Sequence, residues 1–172
     1  MTADHAKAIA EYFAAIFDRE GPNTVKVLRA VPDERRDHKP DEKSRTAWEL
    51  AKHVATADIW FLDSICDGCF TWDPDAEKRM ASGFSTMNDV VEFYKQTLPE
   101  KLQQLRSLSP DAMTREVDFF GFMKAPAVTF LGIANNHGIH HRGQLASYLR
   151  AHGSKVPAIY GGSADEPMQA AG

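Results

Sequence analysis

The sequence has few cysteines, no long apolar run and no block of charge of one sign. Its apolar stretches are far shorter than the roughly 18 residues that a membrane span needs, so we expect no membrane insertion. The 20 basic and 24 acidic residues are well mixed and give a net charge of -4, which argues against binding to nucleic acid. The first residues also lack the basic start and apolar core of a signal peptide. We therefore expect a cytoplasmic protein.

The two cysteines, Cys66 and Cys69, stand in a C-x-x-C spacing. This spacing is compatible with a redox pair, half of a zinc site or a disulfide. No second cysteine pair completes a four-thiolate site, no βαβ pattern surrounds the motif, and thiols in the cytosol stay reduced. We interpret them as two half-buried thiols at a helix end, with a redox role as the alternative.

Signals for β-strands are sparse, and helical patterns dominate. Apolar side chains recur at helical spacing in four segments, over residues 3–31, 46–68, 86–105 and 125–151. A chain of 172 residues is most simply one domain. We expect a bundle over residues 3–153 and a C-terminal extension over residues 154–172. The sequence therefore predicts an all-α four-helix bundle.

Capping motifs set the predicted starts of the middle helices. Thr46-x-x-Glu49 is a capping-box pattern, and Thr86-x-x-Asp89 is its counterpart forty residues later. In such a box each side chain bonds to the other residue's backbone N–H. Gly68 is suited to end the second helix, because glycine adopts the left-handed conformation found there.

Prolines and loops complete the predicted outline. Pro22 is expected to break or kink the first helix and Pro99 to kink the third, because proline removes a helical hydrogen bond. Pro126 is expected in the first turn of the last helix. The aromatic segment 117–123 is predicted to be extended, and residues 71–83 to form a loop. A loop this long after the second helix argues against a simple up-down-up-down chain.

A histidine-rich stretch late in the chain carries the candidate chemistry. His137 and His141 are four residues apart, so their Cβ atoms lie about 6 Å apart on one face of a helix. Both rings can then bind one ion. Helical phase places this pair on the predicted core face and His140 off it. Gly138 stands where a metalloprotease motif has its glutamate, so a protease would lack its general base.

A metal site needs a third ligand from elsewhere. Of His5, His38, His53 and His152, only His53 lies in the middle of a predicted helix beside an apolar stripe. Bundles place metal ligands on facing helices, so His53 is the candidate partner of the late pair. From the residues alone, hydrogen-bonded core histidines are the alternative, above all for His53.

Three segments resemble the DinB/YfiT-like superfamily of metal-dependent proteins. Residues 137–144, His-Gly-Ile-His-His-Arg-Gly-Gln, resemble the H-x-x-H-H-R-G-Q signature of its last bundle helix. Residues 48–53 are similar to the histidine segment of its second helix, and residues 156–165 to the C-terminal extension of many members. Position 138 departs from the family, where many members carry glutamate or another polar residue.

The resemblance implies a four-helix bundle in up-down-down-up order, usually a homodimer. It also implies a three-histidine site, here His53, His137 and His141, that holds zinc or nickel. Some relatives transfer a low-molecular-weight thiol, so we expect a metal-dependent thiol S-transferase or hydrolase. The alternative is a non-catalytic stress-response bundle or interaction dimer with a structural or vestigial metal site.

Other residues near the signature have competing interpretations. Arg142 either holds an anionic substrate or pairs with a carboxylate across the dimer. Gln144 either orients a ligand ring or packs between helices. Trp60 and Phe61 either line a pocket or belong to the core, and aromatics at helical spacing usually belong to the core.

Overall fold

A computed structural model describes residues 1–168 and is mostly helical. Within that range its elements are α1 (Ala3–Arg29), α2 (Ala47–Asp67), α3 (Ala76–Met80), α4 (Met87–Ser107), α5 (Pro110–Thr114), β1 (Glu116–Phe119), β2 (Met123–Pro126) and α6 (Thr129–Ala151). A single turn of 3-10 helix, Asp33–Arg35, lies between α1 and α2. The predicted all-α class is confirmed, with one small hairpin added to it.

The four long helices pack as a bundle. α2 packs against α4 and α6, and α1 packs against the same two helices. α1 and α2 therefore stand at opposite corners, which is consistent with the up-down-down-up order. Buried side chains from all four helices meet in the core, among them Phe17, Leu62, Tyr94 and Phe130.

The capping predictions for α2 and α4 are confirmed. The Glu49 backbone N–H donates to Thr46 Oγ1 at 3.1 Å, and the Thr46 N–H donates to the Glu49 carboxylate at 2.8 Å. Thr86 and Asp89 form the same reciprocal pair at the start of α4. Gly68 ends α2 with φ 71°, the left-handed conformation that the pattern predicted.

The expected break at Pro22 does not occur. α1 runs without interruption through Pro22, and α4 runs through Pro99. Both prolines are exposed, so water can bond the backbone carbonyl that each leaves without its helical donor. On the inner side of α1, Gly21 packs directly against Leu98. Contact between the two helices therefore holds the chain helical where proline alone would favour a break.

One predicted helix start and one predicted loop were wrong. Pro126 is the last residue of β2 rather than part of the final helix, which begins at Thr129. β1 and β2 form an antiparallel hairpin in which Glu116 faces Pro126 across the pair. The prediction of an extended segment at 117–123 is confirmed for its two ends, which lie in these strands. The predicted loop 71–83 contains the short helix α3.

The chain after α6 folds back along the bundle. Gly153 ends the helix with φ 80°, and the residues that follow form no further helix or strand up to residue 168. Asp165 anchors this extension through an ion pair with Arg150. Residues 169–172 of the predicted extension lie outside the described residues. Within residues 1–168, no helix combines the length and apolar character that crossing a bilayer requires.

Candidate metal centre

The structure brings His53 of α2 together with His137 and His141 of α6. Each residue offers one ring nitrogen, and these three atoms lie within 4.8 Å of one another. The Nε2 atoms of His53 and His137 are 3.2 Å apart, and the ring centroids of His137 and His141 are 4.4 Å apart. This is the triad that the spacing and the resemblance singled out.

The triad lies at the edge of the core rather than inside it. The fully buried positions in this part of α6 are Gly138 and Arg142, whereas His137 and His141 are half-buried. The predicted core face of the helix was therefore wrong by one residue. Only 19% of the His53 side chain is exposed. The edge position suits a site that must admit a ligand, because the rings are shielded without being sealed.

Two hydrogen-bond acceptors fix the orientation of the His53 and His141 rings. The Nδ1 atom of His53 bonds to the Glu77 carboxylate at 3.1 Å, and the Nδ1 atom of His141 bonds to Gln144 Oε1 at 3.0 Å. An N–H at Nδ1 leaves Nε2 as a lone-pair donor in each ring. Such hydrogen bonds orient ligating histidines and raise their basicity. Of the two roles considered for Gln144, packing between helices and orienting a ligand ring, its bond to His141 favours the second.

Burial keeps His137 and His141 in their neutral form. Burial, followed by repulsion from His141 and His53, lowers the pKa of His137 to about 4. Burial is also the main cause that lowers the pKa of His141, against the opposing hydrogen bond to Gln144. Metal binding requires neutral imidazole. The three residues therefore fit a divalent cation in the placement of their nitrogens, and His137 and His141 also fit it in their protonation.

A buried carboxylate lies where α2 approaches α6. Asp58 is 3% exposed, and its Oδ2 accepts a hydrogen bond from the Tyr94 hydroxyl at 2.7 Å. Its Oδ1, close to Gly138, has no hydrogen-bond partner among residues 1–168. Burial raises the pKa of Asp58 to about 6, although the Tyr94 bond and the positive charge of Arg142 oppose that rise.

Arg142 faces the core and not the site. It is 2% exposed, forms an ion pair with Glu20 of α1, and donates to Thr24 Oγ1 at 3.0 Å. Tyr160 of the C-terminal extension hydrogen-bonds to both members of this pair. Arg142 thus pairs with a carboxylate of its own chain and ties α6, α1 and the extension together.

A cavity of about 390 Å³ opens beside the triad. His53 and Glu77 line it, together with Arg45, Trp60 and Trp72. Trp60 is therefore a pocket residue, whereas Phe61 is buried in the core. The cavity gives a small molecule access to His53, the triad residue that lines it.

A second cavity, of about 490 Å³, lies between α1 and α4. Pro22, Leu98 and Pro99 line it, and none of the three histidines does. Despite its larger volume, it holds no cluster of side chains suited to metal chemistry. We therefore place the functional site at the smaller cavity.

The cysteines do not join the triad. Cys66 is half-buried and Cys69 is exposed, and neither is in a disulfide. Burial, followed by the nearby carboxylates of Asp63 and Asp67, raises the pKa of Cys66 to about 11. A reactive cysteine needs a lowered pKa. At Cys66 the structure therefore favours the interpretation as a half-buried thiol without a redox function, whereas Cys69 is exposed rather than half-buried as predicted.

The similarity to a known family extends along nearly the entire sequence. A profile of the DinB family matches residues 3–170. The chain belongs to the DinB family.

Members of known structure share the fold. The uncharacterized DinB-like protein YjoA of Bacillus subtilis is 28% identical over 140 residues, 80% of this chain and 86% of YjoA. Its crystal structure has a TM-score of 0.66 and covers 86% of this chain and 97% of that one, at 25% identity. A DinB-like protein from Bacillus cereus has a TM-score of 0.71 at 24% identity, over 87% and 97% of the two chains.

A more distant structure extends the fold to an enzyme. The mycothiol-dependent maleylpyruvate isomerase has a TM-score of 0.57 at 16% identity, covering 84% of this DinB chain and 61% of the isomerase. At this identity the likeness shows the fold alone.

Sequence reasoning missed two residues of this DinB site. Glu77 was assigned to a loop, although it lies on α3 and bonds to His53. Asp58 was overlooked, although an acidic residue inside the apolar pattern of α2 is a recognisable sign of a buried, functional or paired carboxylate.

Proposed function

We propose that this DinB-family protein is a metal-dependent enzyme that transfers a low-molecular-weight thiol to a small electrophilic substrate. The observation that carries the proposal is the convergence of one ring nitrogen each from His53, His137 and His141 within 4.8 Å. Zinc or nickel suits three imidazoles. Three protein ligands leave zinc a position for a substrate or water, as in catalytic rather than structural sites.

The fold and the cavity support the enzymatic interpretation. A protein of this fold is a mycothiol-dependent isomerase, which supports a small thiol as one of the reactants. The cavity of about 390 Å³ beside His53 gives such a molecule a place next to the histidines. A structural metal site, in contrast, is usually closed by a fourth protein ligand.

Each side chain around the triad has a separate task. A bound divalent ion would supply Lewis-acid activation, which lowers the pKa of a thiol or water beside it. Glu77 and Gln144 hold the His53 and His141 rings with Nε2 free. The low pKa of His137 keeps that ring neutral at physiological pH. Arg45 adds a positive charge to the cavity, which favours a thiolate or another anion there.

A conjugation assay tests the proposal. The protein is incubated with bacillithiol, mycothiol or cysteine and with chlorodinitrobenzene as the electrophile. We expect metal-dependent formation of the thioether, its loss after chelation, and its return when zinc or nickel is added. His53→Ala abolishes the reaction, whereas His140→Ala, an exposed neighbour on α6, leaves it intact.

The non-catalytic alternative predicts a different pattern. In that case the metal-loaded protein accelerates no thiol transfer, and removing the metal lowers the melting temperature sharply. We also propose that the protein is a cytoplasmic homodimer, as the family resemblance implies, and light scattering of the purified protein checks its oligomeric state.

A further inference from the structure

The cavity beside the three histidines is lined by three kinds of side chain. His53 and Glu77 belong to the metal centre, Arg45 supplies a positive charge, and Trp60 and Trp72 supply aromatic faces. Its volume of about 390 Å³ lies within the range of about 300–1,000 Å³ found for small-molecule sites. A molecule bound there therefore meets all three surfaces.

Arg45 is a cation without a partner of opposite charge. Arg45 is exposed and takes part in none of the ion pairs among residues 1–168, while Glu77 of the same cavity bonds to His53. Asp73, which also lines the cavity, is instead paired with Arg79. Arg45 is close enough to His137 for its charge to act there, after burial and the neighbouring histidines, on the pKa of that ring. The carboxylates of Glu77 and Asp73, which line the same cavity, are already bonded to His53 and Arg79, so Arg45 is the lining charge that is left to pair with a bound anion.

The two tryptophans form an aromatic wall that a third ring supports. Phe120 stacks on Trp60, with centroids 6.4 Å apart and ring planes at 10°, and meets Trp72 edge-on at 5.8 Å. Phe120 adopts φ 54°, a left-handed conformation that is costly for a bulky residue. Phe120 and Gly121, the latter with φ 76°, lie in the tight turn between β1 and β2, and such hairpin turns require positive φ.

Trp72 keeps most of its surface in water. It is 76% exposed, although its large apolar ring gains free energy on burial. Its position on the cavity, next to the supporting Phe120 ring, leaves a flat apolar face available to a bound molecule.

We propose that this cavity is the acceptor-substrate subsite and that it binds a small organic anion with a flat, aromatic or conjugated group. The anionic group pairs with Arg45, and the flat group lies against Trp60 and Trp72. This inference rests on the proposed function, since the acceptor must bind next to the histidines to receive the thiol. Arginine suits a carboxylate because its planar guanidinium offers two parallel donors.

Titration calorimetry with three probes on the metal-loaded protein tests both halves of the proposal. Phenylacetate carries the ring and the charge, acetate only the charge, and phenylacetamide only the ring. We expect phenylacetate to bind about three- to tenfold more tightly than acetate, from the aromatic contacts. We expect it to bind at least about tenfold more tightly than phenylacetamide, from the charged hydrogen bonds.

Variants test which residue contributes each gain in binding affinity. Trp72→Ala weakens phenylacetate binding about three- to tenfold and leaves acetate unchanged. Arg45→Gln weakens both carboxylates about tenfold and leaves phenylacetamide unchanged. The matched controls are Phe122→Ala, which removes a side chain that is 89% exposed on the same hairpin as Phe120, and Lys43→Gln, which removes an exposed charge from the segment before Arg45. Neither control changes any of the three affinities.

Two results overturn the subsite. If Trp72→Ala behaves like Phe122→Ala, the aromatic wall does not bind the ligand. If Arg45→Gln behaves like Lys43→Gln, the charge does not select an anion. Repeating the Trp72 comparison after chelation separates this inference from the proposed function. If the protein binds no metal but Trp72→Ala still weakens phenylacetate binding, the subsite is supported and the proposed metal enzyme is wrong. If the protein binds metal but Trp72→Ala has no effect on phenylacetate binding, the metal centre is supported and the subsite is wrong.

Discussion

A Cβ atom at Gly138 would lie 2.9 Å from Oδ1 of Asp58 and 3.5 Å from its Oδ2. α2 and α6 therefore approach each other at this point as closely as a glycine permits. The carboxylate is buried and is held by the hydrogen bond from Tyr94, so it has no free space to move into. Because Gly138 follows His137 directly, this contact also sets the distance between the two helices that supply the triad.

The first prediction concerns this contact. Gly138→Ala should lower the free energy of unfolding, because overpacking costs about 1–3 kcal/mol. The higher helix propensity of alanine offsets at most about 1 kcal/mol of this loss. The substitution should also weaken metal binding, since α6 must shift next to His137. Urea denaturation and a metal titration measure the two effects.

Gly143 on the same helix is the matched control. A Cβ atom there meets nothing within 4 Å. Gly143→Ala should therefore stabilise the protein by up to about 1 kcal/mol through helix propensity alone. Equal effects of the two substitutions on stability would contradict the proposed close approach at Gly138.

The second prediction concerns the pH dependence of stability in the metal-free protein. Burial raises the pKa of Asp58 from 3.8 to about 6 in the folded state. A group with a raised folded pKa stabilises the fold fully below its unfolded pKa and loses that contribution as pH rises through its folded pKa. Asp58→Asn cannot ionise and avoids the loss. Its free energy of unfolding should exceed that of the wild type by a margin that grows between about pH 4 and pH 6.

The margin should level off above pH 6 at about 3 kcal/mol, since one unit of pKa corresponds to about 1.4 kcal/mol. Guanidinium denaturation of both proteins at a series of pH values measures it. Taking the difference cancels the titration of the histidines, which both proteins share. A difference that stays constant from pH 4 to pH 7 would show that Asp58 titrates normally.

The three histidines of the candidate site could be predicted from helical periodicity. Two histidines four residues apart must share a helix face, so His137 and His141 followed from their spacing. His53 followed because it lay on a helix that a bundle could bring opposite them. The predicted buried face of α6 is wrong by one residue near the triad. The residues buried there are Gly138 and Arg142, and neither residue type indicates a core position in a sequence.

The remaining parts of the site depend on contacts between distant segments. Glu77 reaches His53 because α3 packs against α2. A helix of five residues is too short to show a periodic pattern that predicts this packing. Arg142 is buried only because Glu20, 122 residues earlier, neutralises it. The hairpin displaced the start of α6 from Pro126 to Thr129, because the backbone N–H groups of Ala127 and Val128 bond to Arg115 and Met113.

The third prediction concerns that buried ion pair. Glu20→Ala leaves the Arg142 guanidinium buried without its carboxylate, which should cost about 3 kcal/mol of unfolding free energy. Asp18→Ala is the matched control on the same helix, because Asp18 pairs with Arg106 at the exposed surface and such pairs contribute less than about 1 kcal/mol. Urea denaturation measures both. Similar losses in the two variants would mean that Arg142 finds adequate partners in Thr24 and Tyr160.

The metal content of purified protein tests the central claim most directly. Wild-type protein and the His53→Ala, His137→Ala, His141→Ala and His140→Ala variants are loaded with zinc or nickel, dialysed exhaustively and measured by inductively coupled plasma mass spectrometry, with circular dichroism to verify folding. We expect about one ion per chain in the wild type and in His140→Ala, and almost none in the three triad variants. Full metal content in a folded His53→Ala or His141→Ala variant would contradict the three-histidine site.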